Sequence, residues 1–224
     1  MLSEDLKIAS TLKDYINFLK ENDGRIMISP WDVKMLEQIK QNIQSHKLAD
    51  KIIWPIGKNS PYGDPNNPFG SCYHEFHINW TYYVEMAAGV ECKSLLDGLT
   101  LDFKNKKAII YDLKTTQKLW HFEDSVEQYD YLRQLAYYKQ AVMWYLKNES
   151  RENPDEWTFE FYIIGIDTTG SCEIRVFKID DRTITTRNNI IHDALRAIFW
   201  HQSTGKWEHS RAYYEGDGSE SLNL

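Results

Sequence analysis

The chain has 224 residues, a length that suits one domain, and 42% of them are hydrophobic, an ordinary globular share. Its net charge of −7 argues against a protein that coats nucleic acid, which would be basic, but leaves room for a site built of carboxylates whose charge a metal cancels. Three widely spaced cysteines (Cys72, Cys92 and Cys172) with no C-x-x-C pair weigh against a zinc ribbon or an iron–sulfur cluster, and an odd number without a secretion signal fits a reducing cytoplasm.

Residues 3–21 carry Leu6, Ile8, Leu12, Ile16, Phe18 and Leu19 at roughly helical spacing, with Ser3 as N-cap, and Asn22-Asp23-Gly24 ends the run. Ser29-Pro30 starts a second helix whose apolar face is Val33, Leu36, Ile39 and Ile43. Residues 55–70, with Pro55, Pro61, Pro65 and Pro68 among glycines, predict a long loop. HEFHINWTYYVEM then predicts a strand, on which His74 and His77, an odd step apart, would take opposite faces. Residues 93–102 and AIIYDLK form a β-hairpin across FKNKK. HFEDSVEQYD predicts an acidic connecting loop, followed by a helix that carries Gln134 and runs to about Leu146. WTFEFYIIGID and CEIRVFKID make a second hairpin across residues 168–171. Residues 182–202 form an amphipathic helix with Ile190, Ile191, Leu195, Ile198 and Phe199, and the polar tail 215–224 predicts disorder. No apolar run approaches membrane-span length. The eight tryptophans and fourteen tyrosines suit core packing, with a few free to stack on unpaired bases.

The chemistry concentrates between Lys93 and Leu146. Asp112 and Lys114 are two apart on a strand, so both project to one face with Ile110, while Tyr111 and Leu113 take the other. Asp97 lies on the partner strand or just before its bend, where pairing can bring it opposite Asp112. Unpaired buried charge is costly, and two convergent carboxylates repel until a cation neutralises them. Mg²⁺ suits that role, because it binds through one or two carboxylates, waters and substrate phosphate. It would polarise a phosphoryl oxygen and acidify a bound water, with Lys114 beside it to orient that water or stabilise developing charge. A lone D-x-K is more often a surface salt bridge. Here the upstream LLDGL, the DLKTT continuation and the later Gln134/Tyr138 pair occur in order.

Asp97 followed by Asp112-Leu113-Lys114 resembles the signature of the PD-(D/E)xK nuclease superfamily. KTT followed by Q-x-x-x-Y at Gln134–Tyr138 resembles its RecB/RecE-type branch, and GVECKSLLDGL, YDLKTT and YLRQLAYY are similar to phage RecE-type recombination exonucleases over roughly residues 25–210. The order of elements fits an α/β or α+β sandwich, and the resemblance implies a restriction-endonuclease-like α/β (α+β) core, a mixed central sheet flanked by helices. It implies one nuclease domain over 1–214, with N-terminal helices over 1–50 and the core over 71–202. Asp97, Asp112 and the Leu113 carbonyl would ligate Mg²⁺, with Mn²⁺ able to substitute. Lys114 would be catalytic, and Gln134 and Tyr138 would brace the site and contact DNA. Lys93, Lys104, Lys106 and Lys107 are candidate DNA contacts, and the 55–70 loop is expected to border the DNA channel. The family also carries an acid or histidine on an earlier helix. Glu75 is the first choice for that role, ahead of Glu85, Glu37 and Asp32.

Three functions follow from these residues. The first is a Mg²⁺-dependent exonuclease acting on double-stranded DNA ends in phage or bacterial recombination, as a homo-oligomer or with a recombination partner protein in the host cytoplasm. The second is an endonuclease or nickase with the same site. The third is a catalytically silent nuclease-like module that binds DNA or protein.

Overall fold

The structure is a computed structural model, and it describes residues 28–55, 71–85 and 88–219. The chain forms two compact units, 1–38 and 39–224. The helix expected over 3–21 and the loop over 56–70 lie outside the described residues, as do the last five positions of the tail.

Helix α1 (Pro30–Ser45) begins where the sequence places it. Ser29 Oγ accepts from the Asp32 N–H at 3.1 Å while the Asp32 carboxylate takes the Ser29 N–H at 3.1 Å, so each satisfies a donor that a helix start leaves open. Ile39 and Ile43 are buried, whereas Val33 and Leu36 stay exposed. Helix α2 (Lys47–Ile53) follows.

Among the described residues five strands form one sheet in the order β1-β2-β3-β4-β5. They are β1 (Ser71–Tyr83), β2 (Gly89–Asp102), β3 (Lys107–Thr116), β4 (Thr158–Asp167) and β5 (Ile174–Ile179). Both expected hairpins are antiparallel, and β3 and β4 pair in parallel. A parallel pair needs a crossover. Helices α3 (Phe122–Gln128) and α4 (Tyr131–Asn148) supply it, with 3₁₀ turns on either side. Helices α5 (Asp181–Thr204) and α6 (Arg211–Glu215) follow. The fold is the expected mixed sheet with helices, of α+β class. No described helix is long and apolar enough to cross a membrane.

The main core lies between one sheet face and the helices α4 and α5. Leu99, Leu101, Ile110, Phe161 and Ile163 meet Leu135, Val142 and Leu146 of α4 and Ile184, Ile191 and Leu195 of α5. Each large apolar side chain so buried contributes roughly 1.5–3 kcal/mol, which is what lets this face also carry buried charge. Of the predicted apolar face of α5, Ile190 and Ile198 stay exposed and Ile184 joins the core instead.

The segment HFEDSVEQYD is a helix, not the connecting loop its acidity suggests. Phe122 is buried and stacks on Phe177 at 5.1 Å, so a tertiary contact anchors a stretch too short to show periodicity. The hairpin turn is closed by Asp102, whose carboxylate accepts from the Asn105 N–H at 3.0 Å and side-chain amide at 2.7 Å.

A phase change in β1 and β2 bends the sheet beside the site. On β2, Val90, Cys92, Ser94 and Leu96 are buried at even positions, then Leu99 and Leu101 at odd ones. On β1 the shift falls at Glu75, which has φ +48° and lies between the pairs His74↔Gly98 and Phe76↔Leu96. Tyr73 and Phe76, an odd step apart, therefore stack at 4.3 Å. The same shift turns His74 and His77, both exposed, to one face rather than the opposite faces that regular alternation predicts. Register continuity sets Glu75 and Asp97 across from one another at this bend.

Candidate active site

Asp112 and Lys114 both leave the core face of β3, as their spacing requires. Asp112 is 2% exposed, and the Lys114 ammonium pairs with its Oδ2. That buried oxygen accepts no well-directed hydrogen bond, so one cationic neighbour is its partner. Its other oxygen, Oδ1, accepts from Gln134 Nε2 at 3.1 Å. Gln134 and Tyr138 are four apart on α4 and share a helix face. The same Gln134 amide donates to Tyr138 Oη at 2.6 Å, which fixes both against the strand.

Asp97 stands one step beyond the last β2–β3 pair, Gly98↔Tyr111, so register continuity sets it across from Asp112. Its Oδ2 accepts the Leu113 N–H at 2.7 Å, locking the bend of β2 to the middle of the D-x-K triplet. Burial pushes the Asp112 carboxyl up to about 6. The Lys114 ammonium opposes that rise and the neighbouring Asp97 carboxylate adds to it. Burial also raises the Tyr138 hydroxyl, with Gln134 pulling the other way and both aspartates adding to the rise.

The opposite face of the sheet explains Gly98. Tyr111 crosses directly over it, and a Cβ at Gly98 would stand 1.9 Å from Tyr111 Cζ. The Tyr111 hydroxyl is held by His74 Nδ1 at 2.7 Å. The Asp-Gly pair of LLDGL thus supplies a carboxylate to one face and room for an aromatic ring on the other.

Sequence reasoning missed Tyr131. Its ring lies 4.8 Å from Lys114 Nζ, a cation–π contact that gives the amine a second partner besides Asp112. The available signal was spacing, since Tyr131 precedes Gln134 by three and so shares its helix face. Asp130 sets this helix start. It has φ +45°, accepts from the Arg133 N–H at 3.3 Å, and pairs with Arg187 at 3.2 Å.

The remaining candidates fall elsewhere. Lys106 pairs with Glu152, and Lys107 pairs with Glu160 at 3.0 Å. Lys107 and Asp112 sit five residues apart along β3, about 17 Å. Lys104 is on the same distal turn, and Lys93 is on β2 opposite Asn79. None of the four lysines is brought to the carboxylates. Glu75 stands beside Asp97 in register, whereas Glu85 is exposed at the bend after β1. Asp32 is engaged at the start of α1, in the first unit, which also holds Glu37.

The residues present fit a hard divalent cation. Among the described residues no three His, Cys, Asp or Glu side chains form a metal-binding group. The oxygen set is two carboxylates and the Leu113 carbonyl, the sparse kind that Mg²⁺ completes with water and phosphate.

A family model described as "PDDEXK-like domain of unknown function (DUF3799)" matches residues 17–211. The chain belongs to this PDDEXK-like family. The PDDEXK-like match supports a nuclease. A crystal structure from Eubacterium rectale, described as a "Putative exonuclease", is similar in fold. It has a TM-score of 0.50 and 15% identity, covering 98% of this chain and 73% of that one. No curated protein matches the chain.

Proposed function

We propose that this PDDEXK-like protein is a Mg²⁺-dependent deoxyribonuclease, a RecE-like exonuclease that hydrolyses phosphodiesters at ends of duplex DNA. The observation that carries the reading is the convergence of Asp97, Asp112, Lys114, Gln134 and Tyr138 from two strands and a helix onto one small region. Such convergence is costly without a task, because Asp112 is ionised against its own burial at neutral pH.

Each residue has a role in this reading. Asp112 and Asp97 hold the cation, with the Leu113 carbonyl as a third oxygen, and Mn²⁺ would substitute for Mg²⁺. The cation, when bound, supplies Lewis acidity at the phosphoryl oxygen and a more acidic water. Lys114, steadied by Tyr131, stabilises negative charge that develops on the phosphate or orients the attacking water. Gln134 and Tyr138 keep the Asp112 carboxylate in one orientation and face the scissile phosphate. Glu75, across from Asp97 in register, is the candidate for the further acid that related nucleases carry on an earlier element. The exonuclease choice is supported by the RecE-like motifs and by the description of the Eubacterium rectale neighbour.

Linear and covalently closed circular duplexes test the choice. With Mg²⁺, linear DNA is expected to be degraded and the closed circle to remain intact. Linearisation or nicking of the circle at a comparable rate would replace the exonuclease with an endonuclease on the same site. Failure to cut either substrate would leave a nuclease-like binding module.

A further inference from the structure

We propose that Tyr129 is a stacking platform for an unpaired base of the substrate strand, next to the candidate catalytic lysine. The proposal deepens the nuclease reading above and rests on it. Tyr129 is 60% exposed although a chain of ring contacts joins it to the core. Its inner face lies on Tyr131, with centroids 5.7 Å apart and planes 20° from parallel. Tyr131 in turn approaches Phe122 at 6.2 Å, and Phe122 stacks on Phe177 at 5.1 Å. The column therefore runs from the interior outward, and its outermost ring keeps one face toward solvent.

The column also touches the chemistry. Two steps, 5.7 Å from Tyr129 to Tyr131 and 4.8 Å from Tyr131 to Lys114 Nζ, join the open ring to the amine. At 3.4 Å per nucleotide these steps span at most about three stacked bases. A base lying on Tyr129 would thus belong to the strand whose phosphate Lys114 meets. The junction is built to hold the ring still. Tyr129 N–H donates to Ser125 O at 3.0 Å at the end of α3, and the next residue, Asp130, takes the left-handed conformation that starts α4. Asp130 pairs with Arg187 at 3.2 Å and with Arg133 at 3.5 Å. The two guanidinium groups offset the Asp130 carboxylate beside a helix that also carries Glu123, Asp124 and Glu127, so the platform would draw on stacking and not on phosphate contacts. Every base offers a π-face, so such a platform is tolerant of sequence. A frayed or single-stranded end can present a base in this way, and a base inside an intact duplex cannot.

The test uses the full chain and a duplex with a short single-stranded overhang carrying 2-aminopurine, in EDTA so that nothing is cut. The wild type is expected to bind the DNA and quench the fluorophore by stacking. Tyr129→Ala should weaken binding about 5- to 150-fold, as loss of one base–aromatic stack does, and abolish the quenching. Tyr129→Trp should keep both, and the salt dependence of binding should be the same in all three, because no phosphate contact is removed. Wild-type affinity and quenching in Tyr129→Ala, or no binding by the wild type, would overturn the platform. Adding Mg²⁺ and linear duplex to the same preparations separates the two readings. Cleavage with an indifferent Tyr129 sinks the platform alone, and a working platform without cleavage sinks the nuclease alone.

Discussion

Lys114→Ala is expected to lower the rate of Mg²⁺-dependent cleavage of linear DNA about 10²- to 10³-fold, the usual cost of removing one preorganised electrostatic group. The amine has no second task that would spare it. It contacts both Asp112 Oδ2 and the Tyr131 ring, the latter at 4.8 Å. Removing it also leaves a buried carboxylate without its ion-pair partner, and breaking a buried pair costs about 3–5 kcal/mol. The assay therefore needs saturating Mg²⁺, which replaces the lost positive charge, and a circular dichroism spectrum that shows the variant folded. Lys114→Arg should recover little, because a planar fork cannot occupy the place of a compact ammonium. Cleavage at the wild-type rate by Lys114→Ala would remove the lysine from the mechanism.

Mg²⁺ should stabilise the folded protein, and Asp112→Asn should abolish the effect. A ligand at 100 times its Kd adds about 2.7 kcal/mol, which for a domain of this size is roughly 5–10 °C in Tm. The shift should also depend on pH, with a sign that follows from the burial of Asp112. Its folded carboxyl is pushed up to about 6, above the ordinary carboxylate value. Protonation therefore favours the fold. This group's contribution is fully present below about pH 4 and is lost as pH rises through about 6, on the order of 3 kcal/mol. Mg²⁺ competes with that proton, so its apparent affinity should fall about tenfold per pH unit below 6. Differential scanning fluorimetry at pH 5 and pH 7.5, with and without Mg²⁺, reads both effects. An equal Mg²⁺ shift in Asp112→Asn would place the cation elsewhere.

Much of this site was legible because its spacings are local. Asp112 and Lys114 alternate on a strand, Gln134 and Tyr138 stack on a helix, and the Asp102 turn sets a hairpin register that carries Asp97 to Asp112. Both hairpins and helix α5 followed from the same periodicities, whereas the short α6 did not. What stayed hidden depends on contacts between distant segments. The parallel pairing of β3 with β4 leaves no local signature, and neither does the stacking of Phe122 on Phe177 that makes α3 a helix. The phase change at Glu75 breaks the alternation from which the faces of His74 and His77 were read. Lys106 and Lys107 looked like a basic patch until Glu152 and Glu160, dozens of residues away in sequence, closed on them. Tyr131 was within reach of a spacing argument, but only a folded chain reveals that the ring lies against Lys114.

The central claim is that Asp97 and Asp112 share one divalent cation. Crystals grown with Mn²⁺ and measured at its absorption edge test it most directly. The account predicts an anomalous peak in contact with carboxylate oxygens of both aspartates and with the Leu113 carbonyl. A peak at another site, or none beside these residues in Mn²⁺-saturated crystals, would contradict it.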